Sequence, residues 1–230
     1  MSQLTGQERA TYVRNMFTRI ARRYDLMNRL MTGGQDIQWR RKVIQRARLR
    51  HGARVLDVGT GTGDLAREAL AQFPRANVVA ADLTLEMMRA GQKNGALNFA
   101  SADALQLPFT DFLFDAAISG FFMRNVIDLQ KALQEQYRVL KKGGRLVILD
   151  TTRPQKNILS PFIWLHMHVV IPALGRLVTG TSEAYRYLPE TTEGFVTAEE
   201  LAARMAAVGF RQINYERLMF GTIAIHWGKK

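Results

Sequence analysis

The stretch that decides the fold is RVLDVGTGTGDLAREAL, residues 54–70. A short apolar run, Val55 to Val58, meets three alternate glycines, Gly59, Gly61 and Gly63, and then resumes with the periodicity of a helix. Nucleotide sites in α/β proteins begin this way, because glycines allow a tight turn and a close backbone approach to a ligand. A dinucleotide fingerprint wants a third glycine where this chain has Asp64, and a P-loop wants a Lys after the glycines, which is missing. Asp57, two residues before the first glycine, suits a cationic ligand better than a pyrophosphate.

Outward from this stretch the pattern alternates. NVVAAD, LNFASAD, FDAAISG and GGRLVILDTT read as strands, while DLAREALAQF, TLEMMRAGQKN and LQKALQEQYRVL read as helices. This βα rhythm predicts an α/β fold, a parallel sheet covered on both faces with its ligand at the carboxyl ends of the strands. TAEELAARMAAVG then reads as a helix closed by Gly209, and FRQINYERL and MFGTIAIHWGK as two closing strands. Asp82 ends the second strand, where a carboxylate accepts both hydroxyls of a ribose, and Asp103 follows the third, where an acceptor meets an adenine amino group. Acids at successive strand ends, with no phosphate cradle, suit a nucleoside bearing an ammonium group, and S-adenosylmethionine fits that description.

The 230 residues suit one α/β domain preceded by a helical extension: residues 1–50 as a cap over the site, 51–230 as the catalytic domain, with an apolar insertion at about 155–190. There is no cysteine, which excludes disulfides, thiolate catalysis and cysteine-held metals, and no metal site is expected. MSQLTGQERA lacks the apolar core of a signal peptide, which places the chain in the cytoplasm. The net charge of +12 is uneven: residues 1–52 hold twelve Arg or Lys against Glu8, Asp25 and Asp36, a net +9. Such a surface attracts a polyanion, nucleic acid or an anionic leaflet, and charge alone does not choose.

GQERATYVRNMFTRIARRYDLMNRLM places Tyr12, Val13, Phe17, Ile20, Ala21 and Tyr24 at steps of three and four, an amphipathic helix. TGGQ breaks it, and DIQWRRKVIQRARL forms a second helix with a basic face at Arg40, Arg41, Lys42, Arg46 and Arg48. ILSPFIWLHMHVVIPALGRLV (158–178) is apolar, but Pro161 and Pro172 are expected to cut it, and it carries His166, His168 and Arg176, so no bilayer crossing is expected.

Several stretches resemble the ubiquinone and menaquinone biosynthesis C-methyltransferases, from about residue 12 to the C-terminus. In YDLMNRLMTGGQDIQW the residues Tyr24, Asp25, Met27, Asn28 and Trp39 match that family's first signature, with Thr32 standing for Ser and Asp36 for His. RVLKKGGRLVILDTT is similar to its second signature, with Lys142 for Pro, and FFMRNVID looks like its LRNVTD. YRYLPETTEGF and GTIAIHWGKK resemble its later stretches. The resemblance implies a class I S-adenosylmethionine-dependent methyltransferase fold, a Rossmann-like seven-stranded sheet with the last strand inserted antiparallel. It implies methylation of a ring carbon of a lipophilic, polyprenylated quinol, with demethylmenaquinol first and a benzoquinol of ubiquinone synthesis as the alternative. Its cofactor contacts fall on Thr62, Asp82, Asp103, Ala104 and Gly120, beside Asp57, Gly59 and Gly61 from the loop itself.

Attack by a quinol carbon requires the neighbouring hydroxyl to lose its proton, so the site needs a base or a cation that stabilises phenolate. Arg124 and Asn125, just past the fourth strand, stand at the right edge, and Arg124 is assigned to phenolate or to a water that takes the proton; its structural alternative is an ion pair with Asp128 or Asp150. Tyr24 and Tyr185 are candidates to cover sulfonium and ring, or are plain core. His166 and His168 are candidate bases without metal-ligand spacing, and His226 reads as structural. The apolar insertion and the basic helices suit transient contact with the inner face of an anionic membrane, the alternative being a lid that buries its apolar face. No nucleic-acid partner is expected, since no RNA-binding module is appended, and a homodimer is left open. A methyltransferase acting on another lipophilic acceptor or on nucleic acid, or a cofactor-binding scaffold without turnover, are the rival readings.

Overall fold

A computed structural model describes residues 6–154, 158–179 and 183–230; parts of the apolar insertion, 155–157 and 180–182, and the first five residues lie outside it. Seven strands form one sheet: β1 (Arg54–Val58), β2 (Asn77–Asp82), β3 (Asn98–Ser101), β4 (Phe114–Gly120), β5 (Leu140–Thr151), β6 (Arg211–Leu218) and β7 (Ile223–Lys229). Their order is β3-β2-β1-β4-β5-β7-β6. β1 to β5 pair in parallel, and β7 inserts antiparallel to both β5 and β6, as the resemblance implied. The chain reverses direction of growth at β1, and the carboxyl edge between β1 and β4 is the switch point where such sheets hold ligands.

Successive strand residues face opposite sides, so each buried strand feeds two cores. Leu56, Ala117, Leu146 and Ile148 point toward α6 (Leu129–Val139) and α10 (Ala198–Val208), where Leu133, Leu201 and Met205 meet them. Val55, Ala116, Ile118 and Val147 point the other way, toward α3 (Gln35–Ala47) and α4 (Asp64–Gln72), onto Trp39, Val43, Ile44 and Ala66. The helix α5 (Leu85–Gln92) follows β2.

A third cluster sits apart from the sheet. It joins Val13, Met16, Ile20 and Met27 to Ile171, Tyr185 and Tyr187, packing the N-terminal helices against the apolar insertion. The first amphipathic stretch is two helices, not one: α1 (Gly6–Ile20) and α2 (Tyr24–Thr32), separated by a tight turn at Ala21–Arg23. Gly33 (φ 59°) and Gly34 (φ 77°) then take the left-handed conformation that lets α3 start in a new direction.

Two expectations need correction. Arg40 is no part of a solvated basic face: it is 7% exposed and bridges Asp36 and Asp64. Nor do the prolines cut the apolar segment. α7 (Ser160–Leu165) and α8 (Ile171–Thr179) are continuous through a wider turn at His166–Val170, where the Ile171 amide donates to the carbonyl of His166, five residues back. Pro161 occupies the first turn, where no amide donor is needed, and the widened turn relieves the clash that Pro172 makes with the preceding turn. The resulting helix, Ser160–Val178, is 19 residues long and apolar enough to cross a membrane by length and composition. The remaining helix, α9 (Glu183–Glu193), carries Tyr185 and Tyr187.

Candidate active site

The glycine loop crosses the carboxyl end of β1. Gly59 (φ 68°), Gly61 (φ 59°) and Gly63 (φ 91°) all need positive φ, and a side chain on Gly59 would run into the Phe122 ring. The acids organise this loop. Asp57 is fully buried; its Oδ2 accepts from the Thr60 hydroxyl at 2.6 Å and the Ala66 amide at 3.1 Å, while Oδ1 has no partner among the described residues. Asp82 accepts from the Gly61 amide at 2.8 Å and the Thr84 amide at 2.7 Å, locking the loop to the end of β2. Asp103 is exposed at the rim, with Oδ1 on the Leu105 amide at 2.8 Å, and Ala104 is buried beside it.

The N-terminal helices close over the loop through two polar contacts that the sequence did not disclose. The Thr62 hydroxyl donates to Asp25 of α2 at 2.7 Å, and Arg40 of α3 meets Asp64 at 3.1 Å. Burial pushes Asp57 up to about 7 and raises Asp82 and Asp25; Asp82 adds to the rise at Asp57, and Asp64 to that at Asp25. Asp25, Asp57, Asp64 and Asp82 line a cleft of about 190 Å³ that also includes Gly59, Gly61, Thr62, Asp103, Ala104, Gly120 and Asn125. A buried carboxylate oxygen without a donor, in a cleft whose five acids outnumber Arg14 and Arg40, favours a ligand carrying positive charge.

A second, larger cavity of about 630 Å³ adjoins it. Its walls are mostly apolar, with Met16, Ile20, Ile163, Met167, Leu188 and Ile223, and Arg124, Tyr185 and His166 among its polar members. Phe17, Tyr24, Asn28 and Phe121 line both cavities, so this wall is where the contents of one meet those of the other. Phe121 reaches it through a left-handed backbone (φ 56°), a conformation a bulky residue holds only when its surroundings enforce it; Trp39 packs on its ring at 6.5 Å and its amide donates to Leu149 at 2.7 Å. Tyr24 stands in the same wall, its phenol raised by burial and held back by the nearby Arg124 charge.

Arg124 takes the ion-pair alternative while still facing the large cavity: Nη1 meets Asp150 Oδ1 at 2.6 Å, its own amide donates to Asp150 Oδ2 at 3.2 Å, and its guanidinium lies 5.7 Å from the Phe121 ring centre. Asn125 lies in the small cleft, with Oδ1 3.5 Å from the Tyr187 hydroxyl. Tyr185 is buried in the wall of the large cavity, away from the acid cleft, and packs tightly on Gly175. Asp57, Asp82, Tyr24 and Asn125 are thus brought together in the cleft, while Arg124 and Tyr185 belong to the apolar side. Tyr187 and Phe121 were missed in sequence; FF before the MRN turn was the available signal for Phe121. His226 is buried in β7, away from both cavities, with Nε2 on the Ala198 carbonyl at 2.9 Å and burial lowering it to about 4.

The switch-point cleft, the glycine loop and the acid at the end of β2, on a seven-stranded sheet with its last strand antiparallel, define a class I S-adenosylmethionine-dependent methyltransferase. Solved structures share the fold: a S-adenosylmethionine-dependent methyltransferase of Thermotoga maritima superposes with a TM-score of 0.67 at 20% identity, covering 94% of this chain and 98% of that one. More specifically, the chain belongs to the ubiE/COQ5 methyltransferase family, whose model matches residues 4–230. Among its relatives, the ubiquinone/menaquinone biosynthesis C-methyltransferase UbiE of Desulfotalea psychrophila is 45% identical over 221 residues, 95% of this chain and 90% of the relative. The demethylmenaquinone methyltransferase of Thermus thermophilus is 44% identical over 220 residues, 94% of this chain and 100% of the relative.

Proposed function

We propose that this enzyme methylates a ring carbon of a polyprenylated quinol, with demethylmenaquinol as its first substrate. The observation that carries the reading is the shared wall: an acid-lined cleft for a cationic nucleoside abuts an apolar cavity three times its volume, and Tyr24, Asn28 and Phe121 face both. S-adenosylmethionine, when bound, supplies a methyl group on a positively charged sulfur whose departure needs no acid. The chain's residues do the rest. Asp82 is the acceptor for the ribose hydroxyls, Asp103 with Ala104 sits at the adenine edge, and Asp57 contributes negative charge beneath the loop. Thr62, whose hydroxyl is engaged by Asp25, acts by shaping the loop. Tyr24 and Phe121 present aromatic faces to sulfonium and quinol ring. Arg124, always protonated and held by Asp150, stabilises phenolate, and Asn125 fixes the turn that carries it.

The quinol's tail explains the surface. Ile158 (91% exposed), Phe162 (70%), Trp164 (56%), Leu177 (82%) and Phe220 (69%) place large apolar side chains in solvent, and Phe162 and Phe220 also line the apolar cavity. Large apolar side chains exposed in this number mark an interaction site, and we assign it to the inner face of a membrane, from which the tail enters. Arg14, Arg19, Arg23 and Arg176, exposed on α1, the turn after it and α8, supply charge for anionic lipid. Lys42 and Arg46 of α3 both pair with Glu216.

Tail dependence tests this. Demethylmenaquinol with two isoprene units and the tail-less naphthoquinol, both chemically reduced, are compared with a matched benzoquinol pair. A kcat/KM that rises with the tail, and an Ile163→Trp variant that raises KM for the quinol without changing cofactor affinity, support the reading. Equal rates with and without the tail contradict it. The ring that turns over faster chooses between naphthoquinol and benzoquinol.

A further inference from the structure

The apolar helix carries two histidines, and the fold sends them to different places. His168 turns away from the large cavity: its ring stacks on Trp164 at 5.0 Å, Nδ1 lies 3.1 Å from the Trp164 carbonyl, and Nε2 lies 3.3 Å from Glu193. His166 lines the cavity, with Nε2 3.2 Å from the backbone carbonyl of Met31 on α2. A carbonyl oxygen only accepts, so Nε2 carries the hydrogen and the Nδ1 lone pair is left to accept. No described residue donates to that Nδ1.

The rest of the cavity wall offers no competitor. Among the described residues that line it there is no Asp or Glu. Tyr24, Tyr185 and Tyr187 are phenols, no better as proton acceptors than the quinol itself, and burial makes the phenolate of Tyr24 harder still to form. Arg124 is permanently protonated and already bound to Asp150. One proton must nevertheless leave for every methyl that replaces a ring hydrogen.

We propose that His166 is the general base of the reaction, its Nδ1 accepting the proton of the quinol hydroxyl next to the reacting carbon. The O–H bond breaks toward Nδ1, the phenolate's electrons form the new carbon–carbon bond as the carbon–sulfur bond breaks, and the ring becomes a neutral dienone. The hydrogen on the methylated carbon then shifts to the ring oxygen, restoring the quinol, and the imidazolium releases its proton to solvent. Arg124 and His166 line the same cavity, and their charges divide the work: Arg124, with Asp150 behind it, favours phenolate over imidazolium, while Glu193 is engaged by His168. The inference rests on the quinol reading above.

The test uses the full chain, S-adenosylmethionine and reduced short-tailed demethylmenaquinol. His166→Gln, which keeps an amide donor for Met31 but no base, is expected to lower kcat by about 10²–10⁴-fold with cofactor affinity unchanged. The wild-type kcat should rise with pH along a one-proton limb that the variant lacks, and imidazole should partly restore His166→Ala. His168→Gln keeps the wild-type rate and limb. A His166→Gln enzyme within about threefold of wild type, with the same limb, overturns the assignment while leaving quinol methylation standing. Wild-type enzyme that binds the cofactor and methylates no quinol removes both.

Discussion

Asp25 Oδ1 accepts the Thr62 hydroxyl at 2.7 Å, joining helix α2 to the glycine loop that lies 37 residues further along the chain. Through this contact the N-terminal helices hold the last turn of the glycine loop before α4, and on the proposed reading they contribute to cofactor binding. Asp25→Ala releases that hold and removes one carboxyl from the cleft, leaving Asp57 and Asp82 in place. The expected result is cofactor binding weakened about tenfold by calorimetry, the size of one charge-assisted hydrogen bond, with the melting temperature little changed. Unchanged affinity would show that the helices merely cover the loop.

Asp57 gives the site a pH dependence whose sign follows from its burial. In the unfolded chain it titrates at the ordinary carboxylate value of 3.8, and burial lifts it to about 7 in the fold, so the folded state holds more protons between those limits. Its contribution to stability is therefore greatest below about 4 and is lost as pH rises through about 7. A cationic ligand reverses the preference, because it favours the ionised carboxylate. S-adenosylmethionine should bind more tightly from pH 6 to 8 with proton release, and Asp57→Asn should flatten the profile. Affinity independent of pH in the wild type would contradict the role given to Asp57.

The Arg124–Asp150 pair can be divided into structure and chemistry by a double-mutant cycle. Arg124→Ala leaves a buried Asp150 without its partner, a loss of about 3–5 kcal/mol in urea unfolding. The pair Arg124→Ala and Asp150→Ala removes both charges and should regain most of that stability while staying slow in turnover. Recovery of activity along with stability would show that Arg124 serves only as a partner to Asp150.

The apolar helix should govern membrane contact and not cofactor binding. Trp164 and Leu177 are exposed and line neither cavity, so Trp164→Ser with Leu177→Ser removes apolar surface from the docking face alone. Flotation with vesicles containing anionic lipid should show partition reduced by about tenfold or more, since each large side chain contributes about 1.5–3 kcal/mol when removed from water. Equal partition would argue that this face packs on a protein.

What could be read in the sequence was what short-range rules control. β1, the glycine loop and Asp82 follow from local periodicity and from glycine's freedom at positive φ, and residues 54–58, 77–82 and 114–120 are strands as read. The two-helix start of the chain was not legible, because the turn at Ala21–Arg23, which packs against α5, has no Gly or Pro to announce it. Arg40 looked like surface for a related reason: Asp36 is its neighbour one turn back on α3, but Asp64 joins the pair only when α3 meets α4. Pro172 misled in the opposite sense, since a widened turn accommodates a ring that usually ends a helix. Above all, the meeting of two cavities at Tyr24, Asn28 and Phe121 depends on residues far apart in sequence, and no spacing rule reports it.

The proposed transfer carries a methyl group across that wall to a quinol carbon. Its most direct test is incubation of the enzyme with methyl-labelled S-adenosylmethionine and reduced demethylmenaquinol, followed by mass spectrometry that locates the label. Label on a single ring carbon is the predicted result. Label on a quinol oxygen, or none anywhere while the cofactor still binds, would contradict it.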